Sequence, residues 1–267
     1  MNVKVSEQSQ ADLRVVLIRG LGRDQLHWGP LKSALDKQGL IIETPDLPGA
    51  GVLCREKAPL DLDEYCRILE SQLSESELPT IVVGLSLGGM IALQWSMLRP
   101  TLFEHVIAIN TSCNLSPVYW RLKVYRAWRT PGILARWNIR LKERSVYQLT
   151  CNRQPMDAEL LDQWVNIQQQ HPVSMITQLR QVIAAWRFSP PDADALPHLT
   201  FINSNSDRLV DPRCSLTLAR HYSAPLRTHD WAGHDLPQDD PKWVAQEILQ
   251  VCDKIRSSKK VALEKLM

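Results

Sequence analysis

Short apolar runs rich in β-branched residues recur along this chain, and the stretches between them carry the longer apolar–polar period of helices. Leu13 to Ile18 is the first such run, followed by Thr80-Ile81-Val82-Val83, His105 to Ile109, Leu199 to Asn203 and Leu226 to Thr228. Runs of this length and composition predict buried parallel strands. Gly89 to Arg99 predicts an apolar helix that stops at Pro100. Strand and helix alternate regularly as far as Asn110 and then stop alternating. From about Cys113 to Pro191 the pattern is helical throughout, and Leu199 resumes the strand pattern. The expected fold class is therefore α/β. A mostly parallel central sheet flanked by helices is built from residues 1–112 and 192–267, and 113–191 form an all-helical insertion. From Ser257-Ser258-Lys259-Lys260 onward the chain reads as a frayed basic tail or a short terminal helix.

At the junction of the Thr80 strand and the Gly89 helix stands Gly84-Leu85-Ser86-Leu87-Gly88. A G-x-S-x-G match is common by chance. Placed between a strand and a helix it describes a nucleophile elbow, a strained turn that presents the serine hydroxyl above the sheet. Glycines at 84 and 88 remove side chains that would collide where strand and helix nearly touch.

A serine hydroxyl needs a base to take its proton, and the base needs a third group to orient it. On this architecture the partners come after the serine in the order acid, then histidine. Asp207 lies in the loop beyond the Leu199 strand, and His234 comes after the small-residue turn Ala232-Gly233 beyond the Leu226 strand. His229 is the rival base, but it falls within or beside the last strand. Asp211 is the rival acid, yet it precedes Pro212 and suits a helix start. The strand after the elbow helix ends in Asn110, an amide that cannot stabilise an imidazolium as a carboxylate does. The oxyanion hole requires backbone N–H groups. Leu87, directly after the nucleophile, supplies one. Leu21, in the loop Arg19-Gly20-Leu21-Gly22 after the first strand, supplies the other.

Together these residues resemble the α/β-hydrolase superfamily. The match runs through Gly20-Leu21-Gly22, Asp46-Leu47-Pro48-Gly49, the elbow, Asp207 and His234, in the family's order. The resemblance implies a structural role for Asp46 and a cap over the active site for the inserted helices. Gly84 to Ala92 is also similar to small esterases and lactonases, including pimeloyl-ester hydrolases and enol-lactonases. A serine at the elbow argues against the dehalogenase and epoxide-hydrolase branches, which use aspartate there. Two positions depart from the pattern: Arg19 replaces a common histidine, and Ser204-Asn205-Ser206 stands where a glycine is frequent.

Composition narrows the picture further. The chain has 267 residues, 44% hydrophobic and 22% charged, with net charge +2, ordinary for a soluble globular protein. Met1 to Asp12 is polar, and no run approaches a membrane span, so the expected location is the cytoplasm. The six cysteines (54, 66, 113, 151, 214 and 252) are scattered, without C-x-x-C or a histidine at ligand spacing. They predict free thiols, no metal site and no cofactor. Five of the nine tryptophans (120, 128, 137, 164 and 186) fall in the insertion, either lining a pocket or forming its small core. Trp28, just after the oxyanion loop, and Leu85 are the expected pocket walls.

Between Trp120 and Arg153 nine Arg/Lys face one acid, Glu143. That excess steers an anionic substrate or an acidic acyl-carrying protein, or it is simply a solvated helix face. Nucleic acid is not expected as a partner. The functional expectation is a serine hydrolase acting on a small or acyl-chain ester, thioester or lactone. The alternatives are an idle hydrolase fold used for binding, or an acyltransferase with the same triad.

Overall fold

The computed structural model describes residues 11–36, 38–123, 138–192 and 196–264. The chain runs β1 (Leu13–Ile18), α1 (Gly29–Leu35), β2 (Leu40–Glu43), α2 (Leu62–Glu70), β3 (Thr80–Leu85), α3 (Leu87–Leu98) and β4 (His105–Ile109). Four described helices come before the sheet resumes: α4 (Val118–Arg121), α5 (Ile139–Thr150), α6 (Ala158–Gln170) and α7 (Met175–Arg187). Then come β5 (His198–Ser204), α8 (Arg213–His221), β6 (Leu226–His229), α9 (Leu236–Asp239) and α10 (Pro241–Glu264). Of the two readings of the segment from Ser257, the helical one holds: it forms the last turns of α10 as far as Glu264. Trp128, Trp137, Arg126, Arg129 and Arg136 lie outside the described residues.

All six strands are parallel, in the order β2-β1-β3-β4-β5-β6. Burial on both faces explains their mostly apolar runs: every residue of β1 and β3 is buried, Arg14 of β1 included, its guanidinium held by Thr80 and Ser74. Alternate residues serve opposite layers. Leu13, Val15 and Leu17 of β1 join Ile81 and Val83 of β3 in the cluster with α1 and α10. Val16, Ile18 and Val82 face the other way, into the cluster with α2 and α3.

The chain leaves β1 toward β2 on one side, whereas β3 continues toward β4 on the other. Loops diverging from adjacent strand ends leave a crevice at the carboxyl edge of the sheet. The Arg19–Gly22 loop and Ser86 meet there. Three helices of the insertion, α5 to α7, start on side-chain caps: Asn138 Oδ1 accepts from Leu141 N (2.9 Å), Asp157 Oδ1 from Leu160 N (3.1 Å) and Ser174 Oγ from Thr177 N (3.0 Å). Each cap contributes about 1 kcal/mol. Trp164 packs with Tyr147, Cys151 and Ile167 as a small separate core of this segment, whereas Trp186 is exposed.

Candidate active site

Ser86 sits between β3 and α3 with φ 57° and ψ −114°, a left-handed backbone that a serine adopts only under constraint. Its N–H donates to Ile109 O (2.8 Å), and its carbonyl accepts from Thr111 Oγ1 (2.8 Å), so both sides of the turn are pinned. A Cβ at Gly84 would strike the Gly88 carbonyl, and one at Gly88 would strike the carbonyl of Ile18. The turn can therefore close only with glycine at both places. Ser86 itself is half-buried at the apex.

Asp207 lies just after β5 and His234 just after β6, and the structure brings them together. Asp207 Oδ2 lies 2.7 Å from His234 Nδ1, with both residues 5% exposed. The other carboxylate oxygen accepts from Leu209 N (2.7 Å) and Val210 N (2.9 Å), which fixes the acid's orientation. Among the described residues, neither the Ser86 hydroxyl nor His234 Nε2 makes a hydrogen bond.

The rival groups are engaged elsewhere. His229 Nδ1 accepts from Ala232 N (3.1 Å), and its Nε2 faces Asp240 (3.3 Å). Asp211 receives Arg213 Nε and Nη2 (2.8 and 2.9 Å), and that bonding pulls its carboxyl down to about 2. Asn110 does not approach the imidazole ring; its Nδ2 donates to the His234 carbonyl (2.9 Å), while its Oδ1 accepts from Ser204 N (2.9 Å). It ties the ends of β4 and β5 to the histidine loop.

Among the described residues the Leu21 and Leu87 amides donate to no partner, which leaves both N–H groups available at the crevice. Gly20 packs against the nucleophile: a Cβ there would lie 3.1 Å from Leu85 O and 3.3 Å from Ser86 Cβ.

The expected pocket walls are corrected. Trp28 is 1% exposed and Leu85 3%, and both belong to the α1/α10 core layer. Strand parity explains Leu85, which shares a face with Ile81 and Val83. Trp28 ends a 3-10 turn (Gln25–Trp28) that begins at the capping Asp24, and this turn directs the indole into the core.

Arg19 forms a buried two-pronged ion pair with Asp235, the residue after His234 (Nη1–Oδ1 3.1 Å, Nη2–Oδ2 2.6 Å). Its guanidinium lies 4.7 Å from the Trp28 ring centroid. Burial alone would raise the Asp235 carboxyl; the charge and hydrogen bonds of Arg19 outweigh this and hold it below its ordinary value. Arg23 reaches from the oxyanion loop to Glu143 of α5 (2.6 Å) and to His27 Nε2 (3.1 Å). His27 donates from Nδ1 to Asp24 (2.8 Å). Burial, then the Arg23 charge, pushes His27 down to about 4, so it is neutral at pH 7.

Asp239, fully buried, accepts from Gly233 N (2.7 Å), Asn152 N (2.8 Å) and Arg153 N (2.9 Å), joining the end of α5 to the histidine loop. Asp46 accepts from Gln25 N (2.7 Å) and Val52 N (2.9 Å), holding two loops together. Three sequence signals pointed to parts of this framework: Glu143, a lone acid in a basic stretch; Arg19 in place of a common histidine; and Asp46, with its implied structural role.

Much of the basic excess around it is engaged within the molecule. Arg121 donates to Ala185 O, Lys123 to Asp207 O, and Arg153 to Asp239 O, while Arg140 pairs with Asp162. All six cysteines are free thiols, and burial raises those at 66, 113, 151, 214 and 252. Among the described residues no cluster of three or more His, Cys, Asp or Glu could hold a metal ion. None of the described helices is long and apolar enough to cross a membrane.

A sequence model of the alpha/beta hydrolase family matches residues 15–247. The chain belongs to this family. Among solved structures, this chain superposes on the enol-lactonase from Burkholderia xenovorans with TM-score 0.69 and 20% identity, covering 91% of this chain and 92% of that one. An esterase from Exiguobacterium antarcticum gives TM-score 0.72 at 14% identity, over 91% and 92% of the two chains. In sequence it is 37% identical over 110 residues to RutD of Yersinia enterocolitica, whose carbamate-hydrolase name is itself provisional; the match covers 39% of this chain and 38% of that protein. The chain thus spans between 28% and 38% of the length of the curated relatives it matches.

Proposed function

We infer that the protein is a serine hydrolase that cleaves a carboxylic ester, thioester or lactone through an acyl-enzyme on Ser86. The observation that carries this reading is the 2.7 Å Asp207–His234 pair, set on the same sheet edge as the strained Ser86 elbow. His234 takes the serine proton as Oγ attacks the carbonyl carbon. The tetrahedral oxyanion rests on the Leu21 and Leu87 amides. His234 then returns the proton to the leaving oxygen or sulfur, the carbonyl re-forms, and the acyl group stays on Ser86. Water, deprotonated by the same imidazole, releases the acid and restores the hydroxyl. Asp207 fixes the ring so that Nδ1–H faces the carboxylate and Nε2 remains the base. No residue in this sequence of steps calls for a metal or cofactor. The described helices α4 to α7 serve as the cap over this site, and esterase and enol-lactonase neighbours agree with an ester or lactone substrate.

Fluorophosphonate labelling and hydrolysis of p-nitrophenyl esters from acetate to laurate test the reading together. Labelling and turnover should both vanish in Ser86→Ala while the fold survives, because alanine fits the elbow. Turnover retained in that variant would refute the assignment. If the basic excess of the insertion steers an anionic substrate, added salt should lower kcat/KM for an anionic ester much more than for a neutral one, and equal salt dependence would refute steering.

A further inference from the structure

The loop that carries the Leu21 amide has glycine on both sides of it. Gly22 is left-handed, with φ +69°. Glycines leave a backbone free to rotate, and an oxyanion hole is effective only when its donors are held in place before charge develops. Inside the loop the one brace is a long Arg23 N to Gly20 O contact of 3.4 Å. Rigidity has to come from outside, and α7 supplies it.

Three side chains on one face of α7 reach the core loops. Thr177 fills the space beside Gly49, and the Gln178 side chain lies 3.7 Å from where a Cβ on Gly22 would stand. One turn further on, Gln181 is fully buried, and its Oε1 accepts the Gly22 N–H at 2.9 Å. The Gly22 N–H can only donate, so this bond also settles which end of the Gln181 amide faces the loop. Among the described residues its buried Nε2 finds no partner. A buried amide with an unpaired end is costly, and leucine or methionine would fill the same space without that cost. The polar side chain at this position is accounted for by the Gly22 bond alone.

We propose that Gln181 is a positioning residue for the oxyanion hole. It locks the Leu21–Gly22 peptide against rotation and so keeps the preceding Leu21 N–H aimed at the reacting carbonyl. Since Gln181 rides on α7, the hole is complete only while that helix is seated on the Gly20–Gly22 and Asp46–Gly49 loops. Substrate seated under α7 meets a formed hole, and any substrate that lifts the helix meets a loose one. Gln181 acts through Leu21 and does not touch substrate. The inference rests on the serine-hydrolase reading above.

The test compares wild type, Gln181→Leu and Gln181→Glu on p-nitrophenyl esters, with rates expressed per site titrated by a fluorophosphonate so that only folded, competent molecules count. Each is also assayed with a trifluoromethyl ketone, whose hemiketal oxyanion occupies the hole, and with the matching alcohol, which forms no oxyanion. Removing a whole donor costs about 10²–10³ in kcat; a donor that is loosened rather than lost should cost roughly 10-fold or more. Gln181→Leu is expected to lower kcat by that amount with KM nearly unchanged, and to weaken the ketone in parallel but not the alcohol. Burial keeps the carboxyl of Gln181→Glu protonated, so that variant keeps a neutral acceptor for Gly22 and, assayed below the pH at which that carboxyl ionises, should recover most of the loss. Wild-type kcat and ketone affinity in Gln181→Leu would overturn the proposal, as would equal weakening of ketone and alcohol, or no recovery in Gln181→Glu. A wild type that neither labels nor turns over would overturn the hydrolase reading itself, and this inference with it.

Discussion

Replacing Asp235 by alanine removes one half of the buried pair that joins the end of β1 to the residue after His234. Arg19 would keep its charge with the guanidinium sealed from water, its Nε already lacking a partner and only the Trp28 face, 4.7 Å away, to offset the loss. A desolvated cation over an indole contributes about 2 kcal/mol or somewhat more, whereas stranding a buried charge costs about 3–5 kcal/mol. Total stabilities of domains run from about 5 to 15 kcal/mol, so this single change removes a large share. For a chain of this size the midpoint should fall by roughly 6–20 °C. Thermal and urea unfolding at pH 7 measure it, with Arg19→Met/Asp235→Leu as the decisive control. That double variant buries no charge and should recover most of the loss. The pH dependence has a defined sign. The Asp235 carboxyl lies below its ordinary 3.8, so its contribution is present above about pH 4 and disappears as pH falls through the depressed value. Wild type and Asp235→Ala should therefore converge in acid. A loss under about 1 kcal/mol at pH 7, or a double variant no better than the single one, would refute the reasoning.

Three further outcomes are expected of the same structure. Asp207→Asn should leave the fold intact yet lower kcat by on the order of 10⁴, because the wrong imidazole nitrogen then carries the proton; steady-state kinetics with site titration checks it. His27, held at about 4 against 6.5 in an unfolded chain, takes up a proton more readily when unfolded. Stability should therefore decline from pH 6.5 toward pH 4 by up to about 3 kcal/mol from this residue. His27→Gln should flatten that limb in urea titrations across the window. Gly84→Ala drives a methyl group into the Gly88 carbonyl, and should cost roughly 1–3 kcal/mol together with phosphonate labelling, read as a lower midpoint and an unlabelled serine.

Local features of the chain announced five of the six described strands and the residues gathered at the sheet's edge; β2 (Leu40–Glu43), half-exposed at the margin of the sheet, was not among the runs. Strands buried on both faces are mostly apolar, and the polar residues they hold are satisfied within the fold, as Arg14 is by Thr80 and Ser74, so the runs at Leu13, Thr80, His105 and Leu199 announce themselves. An elbow must have glycines where its two arms touch, so Gly84 and Gly88 are as readable as Ser86. Asp207 and His234 were legible for a related reason. Each comes directly after its strand, and parallel strands deliver their outgoing loops to one edge. Trp28 and Leu85 were misjudged because nearness to the site along the chain says nothing about which way a side chain turns. A capped 3-10 turn directs one into the core, and strand parity the other.

The supporting framework was beyond reach of the sequence. Arg19 and Asp235 are separated by 216 residues, Arg23 and Glu143 by 120, and Gly22 and Gln181 by 159. No period or local motif links such partners. Each pair exists because parallel crossovers and the helical insertion carry distant segments to one crevice, where burial makes an unpaired charge or amide costly. What the sequence by itself determined is most of the sheet, the elbow and the order of the candidate residues, since these depend on spacings of a few positions. Which side chains hold those residues in register was decided only by tertiary structure, because that depends on which distant loops the packing of α5, α7 and α9 presses together.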